Sequence, residues 1–233
     1  MYDFKKLTER EKEAMVWIAR HSYVTAKQIE KLFGVSQRIS YRILEKLKGF
    51  GYVKNELVMR SLGVFYATED GIEIAEVDMN PISKVVNLAE LRHELMLVDL
   101  EIILMLRDKK EGVESKWITS REIKRQKYRN TKKIENNNVK KGTLVRGVKD
   151  EVPDSYWIRQ GHTAAIEVEL TRKDKARIQK KLKMYDAEIA AGRIDAVMYY
   201  TDKETIKNLL ESQRGVMEHS SRLIIRDFPK VGE

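Results

Sequence analysis

The chain has 233 residues, 42% hydrophobic and 35% charged, with a formal net charge of +9 and an isoelectric point near 9.4. That length builds one large domain or two small ones around a packed core, and the basic balance favours a polyanionic partner. No cysteine is present, which excludes disulfides, thiolate zinc sites and cysteine nucleophiles.

The opening stretch, MYDFKKLTEREKEAM, lacks the apolar core of a signal peptide. The most apolar run, Leu95 to Leu106, is broken by Asp99 and Glu101 and is too short to span a bilayer. The expectation is a soluble cytoplasmic protein with no membrane partner. Residues 1–80 are nearly balanced in charge. The positive excess sits in Lys116 to Lys149 and again in Arg172 to Lys183.

The N-terminal third reads as three helices and a hairpin. Thr8 and Glu11 form a capping-box pair before a helix with Ala14, Met15, Ile18 and Ala19 on its apolar side. Thr25 and Gln28 form a second box before Ile29, Leu32 and Phe33, and Gly34 supplies a left-handed stop. Ser36 sits at the next N-cap. In the helix that follows, Ser40, Ile43, Leu44 and Leu47 share one stripe and Gln37, Arg38, Tyr41 and Arg42 the opposite one. Tyr52-Val53 begins a strand, Asn55-Glu56 reads as a turn, and Leu57 to Arg60 and Val64 to Ala67 form a hairpin. Thr68 to Gly71 opens a further helix over Ile72 to Val77.

This order, with Val35-Ser36, Arg42, Leu44, Leu47 and Gly51-Tyr52-Val53 at their spacings, resembles winged helix-turn-helix regulators. The resemblance implies that the third helix enters the major groove of double-stranded DNA. Arg38 and Arg42 then reach guanine, Gln37 reaches adenine, and Tyr41 lies on the same face. Ser36, Lys46, Lys48 and Arg60 of the wing contact phosphate. The competing reading is a winged helix used for protein contacts, with both arginines merely solvated.

Asp78 to Pro81 is a turn and the expected domain boundary, giving 1–80 and 81–233. A long helix runs from Ser83 through Leu106, with so few polar faces in its second half that burial on several sides is expected, against a sheet or a homodimer partner. His93, a lone histidine, reads as a structural or surface residue rather than a ligand. Val113 to Thr119 reads as a strand. Residues 120–149, rich in Arg, Lys and Asn, read as a basic insert, either a disordered loop or an arm that orders on phosphate through Lys124, Arg125, Lys127 and Arg129.

The C-terminal part reads as a strand over Ser155 to Ile158, a turn at Gln160-Gly161, and a strand over Thr163 to Thr171. A helix over Lys173 to Ala191, a strand over Ile194 to Thr201, a helix capped by Asp202 and a last strand over Arg222 to Phe228 follow. The sum is an α/β layer around a mixed sheet. Alternation puts Glu167 and Glu169 on one face of their strand. With Asp154 upstream, three carboxylates converge, an oxygen set suited to Mg²⁺. The plain alternative is a half-solvated strand with its polar face outward.

Pro153-Asp154 followed by Glu167-Val168-Glu169 resembles the PD-(D/E)xK nuclease-like fold of restriction endonucleases, with Glu169 where that motif has lysine. The resemblance implies a site of Glu94, Asp154, Glu167, Glu169 and Lys173, with Mg²⁺ on Asp154 and Glu167 if the site is active. DNA binding itself requires no cofactor. Lys181 to Tyr185 is similar to the Gln-x-x-x-Tyr element of one branch of that superfamily, with Lys181 in place of Gln.

The winged helix, then Arg92-His93-Glu94-Leu95, Pro153-Asp154, Glu167-Val168-Glu169 and the basic helix ending at Tyr185, together resemble the replication-relaxation family. That resemblance implies a sequence-specific DNA-binding protein of a plasmid or other mobile element, acting in replication, relaxation or transfer or its transcriptional control, with relaxase or replication proteins as partners. The alternatives are a metal-dependent DNA endonuclease targeted by the winged helix, and a transcriptional regulator whose second domain dimerises or binds an effector.

Overall fold

The computed structural model describes residues 7–60, 62–82, 85, 87–134 and 152–229. It divides into two compact units, Met1–Ile102 and Ile103–Glu233.

The first unit opens with α1 (Glu9–Arg20), α2 (Ala26–Phe33) and α3 (Gln37–Gly49). Both expected capping boxes form. Glu11 N–H donates to Thr8 Oγ1 at 3.4 Å and Thr8 N–H to Glu11 Oε2 at 2.7 Å. Gln28 N–H donates to Thr25 Oγ1 at 3.2 Å and Thr25 N–H to Gln28 Oε1 at 2.9 Å. Each box satisfies donors that a helix start otherwise leaves orphaned. Gly34, at φ +59°, ends α2 in the left-handed region that its missing Cβ allows. Ser36 occupies the N-cap of α3, but its side chain makes no capping bond.

An antiparallel ribbon follows, β1 (Val53–Met59) paired with β2 (Leu62–Ala67). An isolated bridge from Val24 to Phe65 ties the ribbon to the segment before α2. Three helices followed by this two-stranded wing give the winged-helix arrangement. Asn55-Glu56 is not a turn: Asn55 pairs with Phe65 and Glu56 with Val64, so the ladder runs straight through them. The chain reverses after Met59 instead. α4 (Glu69–Ile74) is capped by Thr68 Oγ1, which accepts from Gly71 N–H at 3.1 Å.

The expected helix start at Ser83 lies outside the described residues; helix α5 is Leu88–Glu111, and Asn87 Oδ1 accepts from Glu90 N–H at 3.0 Å. The compact units part at Ile102/Ile103, inside α5, and not at residues 80/81. The reason lies in what the start of the helix binds. Leu91 packs with Tyr23, Val64 and Tyr66, Gln28 Nε2 donates to Leu95 O at 2.8 Å, and Lys31 pairs with Asp99 at 2.7 Å. Glu101, fully buried, faces His21 Nε2 at 3.0 Å.

The second unit is a five-stranded sheet in the order β3 (Ser115–Thr119), β4 (Ser155–Arg159), β5 (His162–Val168), β6 (Ala196–Tyr200) and β7 (Leu223–Arg226). β3, β4 and β5 pair antiparallel, whereas β5, β6 and β7 pair parallel. The parallel steps need crossovers, which α7 (Lys175–Ala190) and α8 (Glu204–Ser212) supply. Ile178, Leu182 and Tyr185 of α7 and Ile206 and Leu210 of α8 bury against Ala165, Val197 and Leu223 of the sheet. Gln160 and Gly161 close the β4–β5 hairpin at φ 52° and 81°, the two positive values a type I′ turn requires.

Two readings of this half are corrected. Residues 120–149 are not wholly an unstructured insert, because Ser120–Ile134 is helix α6. Thr119 Oγ1 accepts from Glu122 N–H at 3.3 Å and Thr119 N–H donates to Glu122 Oε2 at 2.7 Å, a third capping box, and Ile123 is buried beneath it. Residues 135–149 lie outside the described residues. Asp202 does not cap α8: its Oδ1 accepts from Phe228 N–H at 3.0 Å, and Lys203 holds the cap position.

Candidate functional site

A buried cluster of ionisable side chains in the second unit is built on β5, the central strand. Glu167 and Glu169 are 2% and 5% exposed, so neither belongs to a solvated strand face. β5 stops at Val168, and Glu169 follows it with its N–H still donated to Tyr200 O at 3.0 Å. Asp154, in the segment leading into β4, is stitched to β5 twice. Its N–H donates to Ile166 O at 3.1 Å, and its Oδ2 accepts from Val168 N–H at 2.9 Å.

Helix α7 closes over this end of the strand. Lys181 and Tyr185 are four residues apart and therefore share a face. Lys181 Nζ donates to Glu167 Oε2 at 2.6 Å, and Tyr185 Oη donates to Glu167 Oε1. Just before α7, Lys173 Nζ meets Glu169 Oε2 at 2.5 Å.

The electrostatics follow from burial. Desolvation, seconded by the Asp154 charge, pushes the Glu167 carboxyl up to about 7, against the pull of Lys181 and Tyr185. Burial works against the Lys181 ammonium, but the charges of Glu167 and Asp154 outweigh it and raise its pKa above the ordinary lysine value. Burial, then Glu167, drives the Tyr185 and Tyr199 hydroxyls well above theirs, so both stay protonated donors.

As arranged, the carboxylate oxygens of this cluster are engaged within the protein. Both Glu167 oxygens are occupied by α7, an oxygen of Glu169 is taken by Lys173, and an oxygen of Asp154 by a backbone N–H. Among the described residues, no group of three or more His, Cys, Asp or Glu side chains is placed to hold a metal ion. The expected set is thus gathered in part. Asp154, Glu167, Glu169 and Lys173 come together, whereas Glu94 lies on the part of α5 that belongs to the first unit. Lys181 takes the position beside Glu167 that was not assigned to it. The spacing of Lys181 and Tyr185 was the signal available for it.

Beside the cluster runs a cleft of about 400 Å³ between α6 and α7, lined by Lys127, Lys173, Arg177, Lys180, Lys181, Lys183, Met184 and Glu188. Of the four α6 cations expected at phosphate, Lys127 lines this cleft. Lys124 and Arg129 are exposed and Arg125 is half-buried.

In the first unit, α3 buries Ser40, Ile43, Leu44 and Leu47 and exposes Gln37, Arg38, Tyr41 and Arg42, as its two stripes predict. Ser36, Lys48 and Arg60 are exposed as well. Lys48 lies 3.3 Å from Glu45, a weak surface pair, whereas Lys46 is held at 2.7 Å by the buried Glu11. That second contact makes Lys46 part of the packing between α1 and α3.

A winged-helix unit and a mixed α/β unit carrying a buried carboxylate–lysine–tyrosine cluster define the architecture. The chain belongs to the replication-relaxation family, whose model matches residues 15–203. No curated protein sequence matches it significantly. Among solved structures, the heme sensor protein PefR from Streptococcus agalactiae in complex with heme is 14% identical, over 58% of this chain and 78% of that one, with a TM-score of 0.29. The adhesin competence repressor AdcR from Streptococcus pyogenes is 16% identical, over 56% and 82%, with a TM-score of 0.28. Scores this low carry no argument about ligand or partner. Among the described residues, no helix is long and apolar enough to cross a membrane.

Proposed function

We propose that this chain is a sequence-specific binder of double-stranded DNA that acts in replication, in relaxation or transfer, or in the transcriptional control of these, on a plasmid or other mobile element. The observation that carries this reading is the exposed row on α3. Gln37 and Tyr41 are four residues apart, as are Arg38 and Arg42, and all four stand on the face opposite the buried stripe. A winged helix offers that face to the major groove, where Arg38 and Arg42 match guanine O6 and N7 and Gln37 matches adenine. Lys48 and Arg60, both exposed, would then contact phosphate. Membership of the replication-relaxation family supports the setting.

The test is selection of a binding site from random duplexes, followed by footprinting with the Arg38→Ala/Arg42→Ala protein. Loss of the footprint with the thermal melt retained is the expected result. An unchanged footprint would remove the groove assignment.

A metal-dependent endonuclease is the second reading. One observation favours it: Asp154, Glu167 and Lys181, residue types that a PD-(D/E)xK site uses, are gathered by the β4 lead-in, β5 and α7. Supercoiled DNA incubated with the protein and Mg²⁺ or Mn²⁺, beside the Asp154→Asn protein, decides it. Cutting that the variant loses would make the chain an enzyme, and DNA bound but never cut would leave it a binding protein.

A further inference from the structure

The α6–α7 cleft concentrates charge in a way that the fold does not require. On α7, Lys180 and Lys181 stand three and four residues after Arg177, and Met184 three and four residues after them, so these cations share one side of the helix, with Lys173 just before its start. Like charges at that spacing destabilise a helix. Lys127 of α6 faces them across the gap. The lining includes one acid, Glu188, and its carboxylate is engaged by Arg193 at 2.7 and 2.8 Å. Lys181 and Lys173 are held by Glu167 and Glu169, so their stems are fixed before any ligand arrives. Cations on a concave surface reinforce one another's potential, whereas a convex lysine face is merely solvated.

We propose that this cleft is a second nucleic-acid site, which grips the phosphates of one strand independently of sequence. The proposal rests on the reading of the chain as a DNA-binding protein. A cleft of about 400 Å³ has room for the backbone of one strand but not for a whole duplex. The protein then makes two separate contacts: α3 reads base edges, and α7 with Lys127 holds backbone.

The experiment measures affinity of the full chain for scrambled-sequence duplex and for single-stranded DNA by fluorescence anisotropy, across a salt series. Variants are Lys127→Gln/Lys180→Gln/Lys183→Gln, Arg38→Ala/Arg42→Ala, and the two sets combined. The lysines chosen are on the cleft wall and outside the Glu167 and Glu169 pairs, and a thermal melt checks that the fold is kept. The cleft variant should lose roughly tenfold in affinity on any sequence. Its log affinity against log salt should become shallower by about 2, since each phosphate contact contributes about 0.9 on duplex DNA and about 0.7 on single strands. Glu188→Gln should shift affinity the other way. Unchanged affinity and slope in the cleft variant would overturn the proposal. The winged-helix reading fails separately, if Arg38→Ala/Arg42→Ala leaves the preference for the selected site intact. Competition by inorganic phosphate or a mononucleotide as strong as that by a strand would assign the cleft to a small phosphate ester and overturn the strand assignment.

Discussion

Lys181 reaches from the middle of α7 to the central strand of the sheet and places its ammonium 2.6 Å from Glu167 Oε2, beneath a helix that leaves the carboxylate 2% exposed. A buried pair of this kind adds little stability over a well-packed apolar pair, but breaking it strands a charge. Lys181→Met should therefore cost about 3 kcal/mol above pH 8, read by urea denaturation. Adding Glu167→Gln to the same protein should restore most of that loss, because the stranded charge is gone. A double variant no more stable than Lys181→Met would mean that the lysine acts through packing alone.

The proton on Glu167 gives the stability a pH dependence. Its folded pKa is raised to about 7, above the ordinary carboxyl value of 4.5. The folded state therefore binds that proton more tightly than the unfolded chain does. This contribution is fully present below about pH 4.5 and is lost as pH rises through about 7, with a total near 3 kcal/mol. Glu167→Gln should flatten that window. Asp154→Asn can still accept the Val168 N–H but removes a charge that raises the Glu167 pKa, so the loss should be complete at lower pH. Denaturant midpoints measured from pH 4 to 8 check both. A wild-type curve without a decline in that window would mean that Glu167 is ionised throughout.

A test of the first unit alone is Gly71. A Cβ there would lie 2.0 Å from Tyr52 O and 2.9 Å from Met15 Cε. The carbonyl belongs to backbone that also accepts from Thr68 N–H at 3.0 Å, so it cannot retreat freely. Gly71→Ala should lower stability by about 3 kcal/mol, at the upper end of overpacking effects, in a thermal melt of the full chain. A loss below about 1 kcal/mol would show that α4 shifts to make room.

The first unit was legible because its signals are local. Thr8 with Glu11, Thr25 with Gln28 and Gly34 mark helix ends by side-chain chemistry, and the α3 stripes follow from periodicity alone. The wing departs from the expectation at Asn55-Glu56, where the turn-forming Asn55 and its neighbour are held straight by Phe65 and Val64 across the ladder. Helix α6 was missed for a compositional reason. Its surface is so basic that it reads as disorder, although Thr119-x-x-Glu122 carried the same capping signal recognised twice before. At the site, Asp154, Glu167 and Tyr185 could be picked out by type and spacing. Which cation meets which carboxylate could not, because Lys181 and Lys173 differ only in how α7 is docked on the sheet.

The β4–β5 hairpin, with its tight turn at Gln160-Gly161, also sets an order in time. Its pairing is local, so closing it involves little loop entropy, whereas docking β6 requires the whole of α7 to be laid down first. The hairpin is therefore expected to form early, with Glu167 solvated until α7 docks. Substitutions at Glu167 and Lys181 should then speed unfolding and leave refolding nearly unchanged. A newly made chain would then bury the Glu167 carboxyl only once α7 has been laid down.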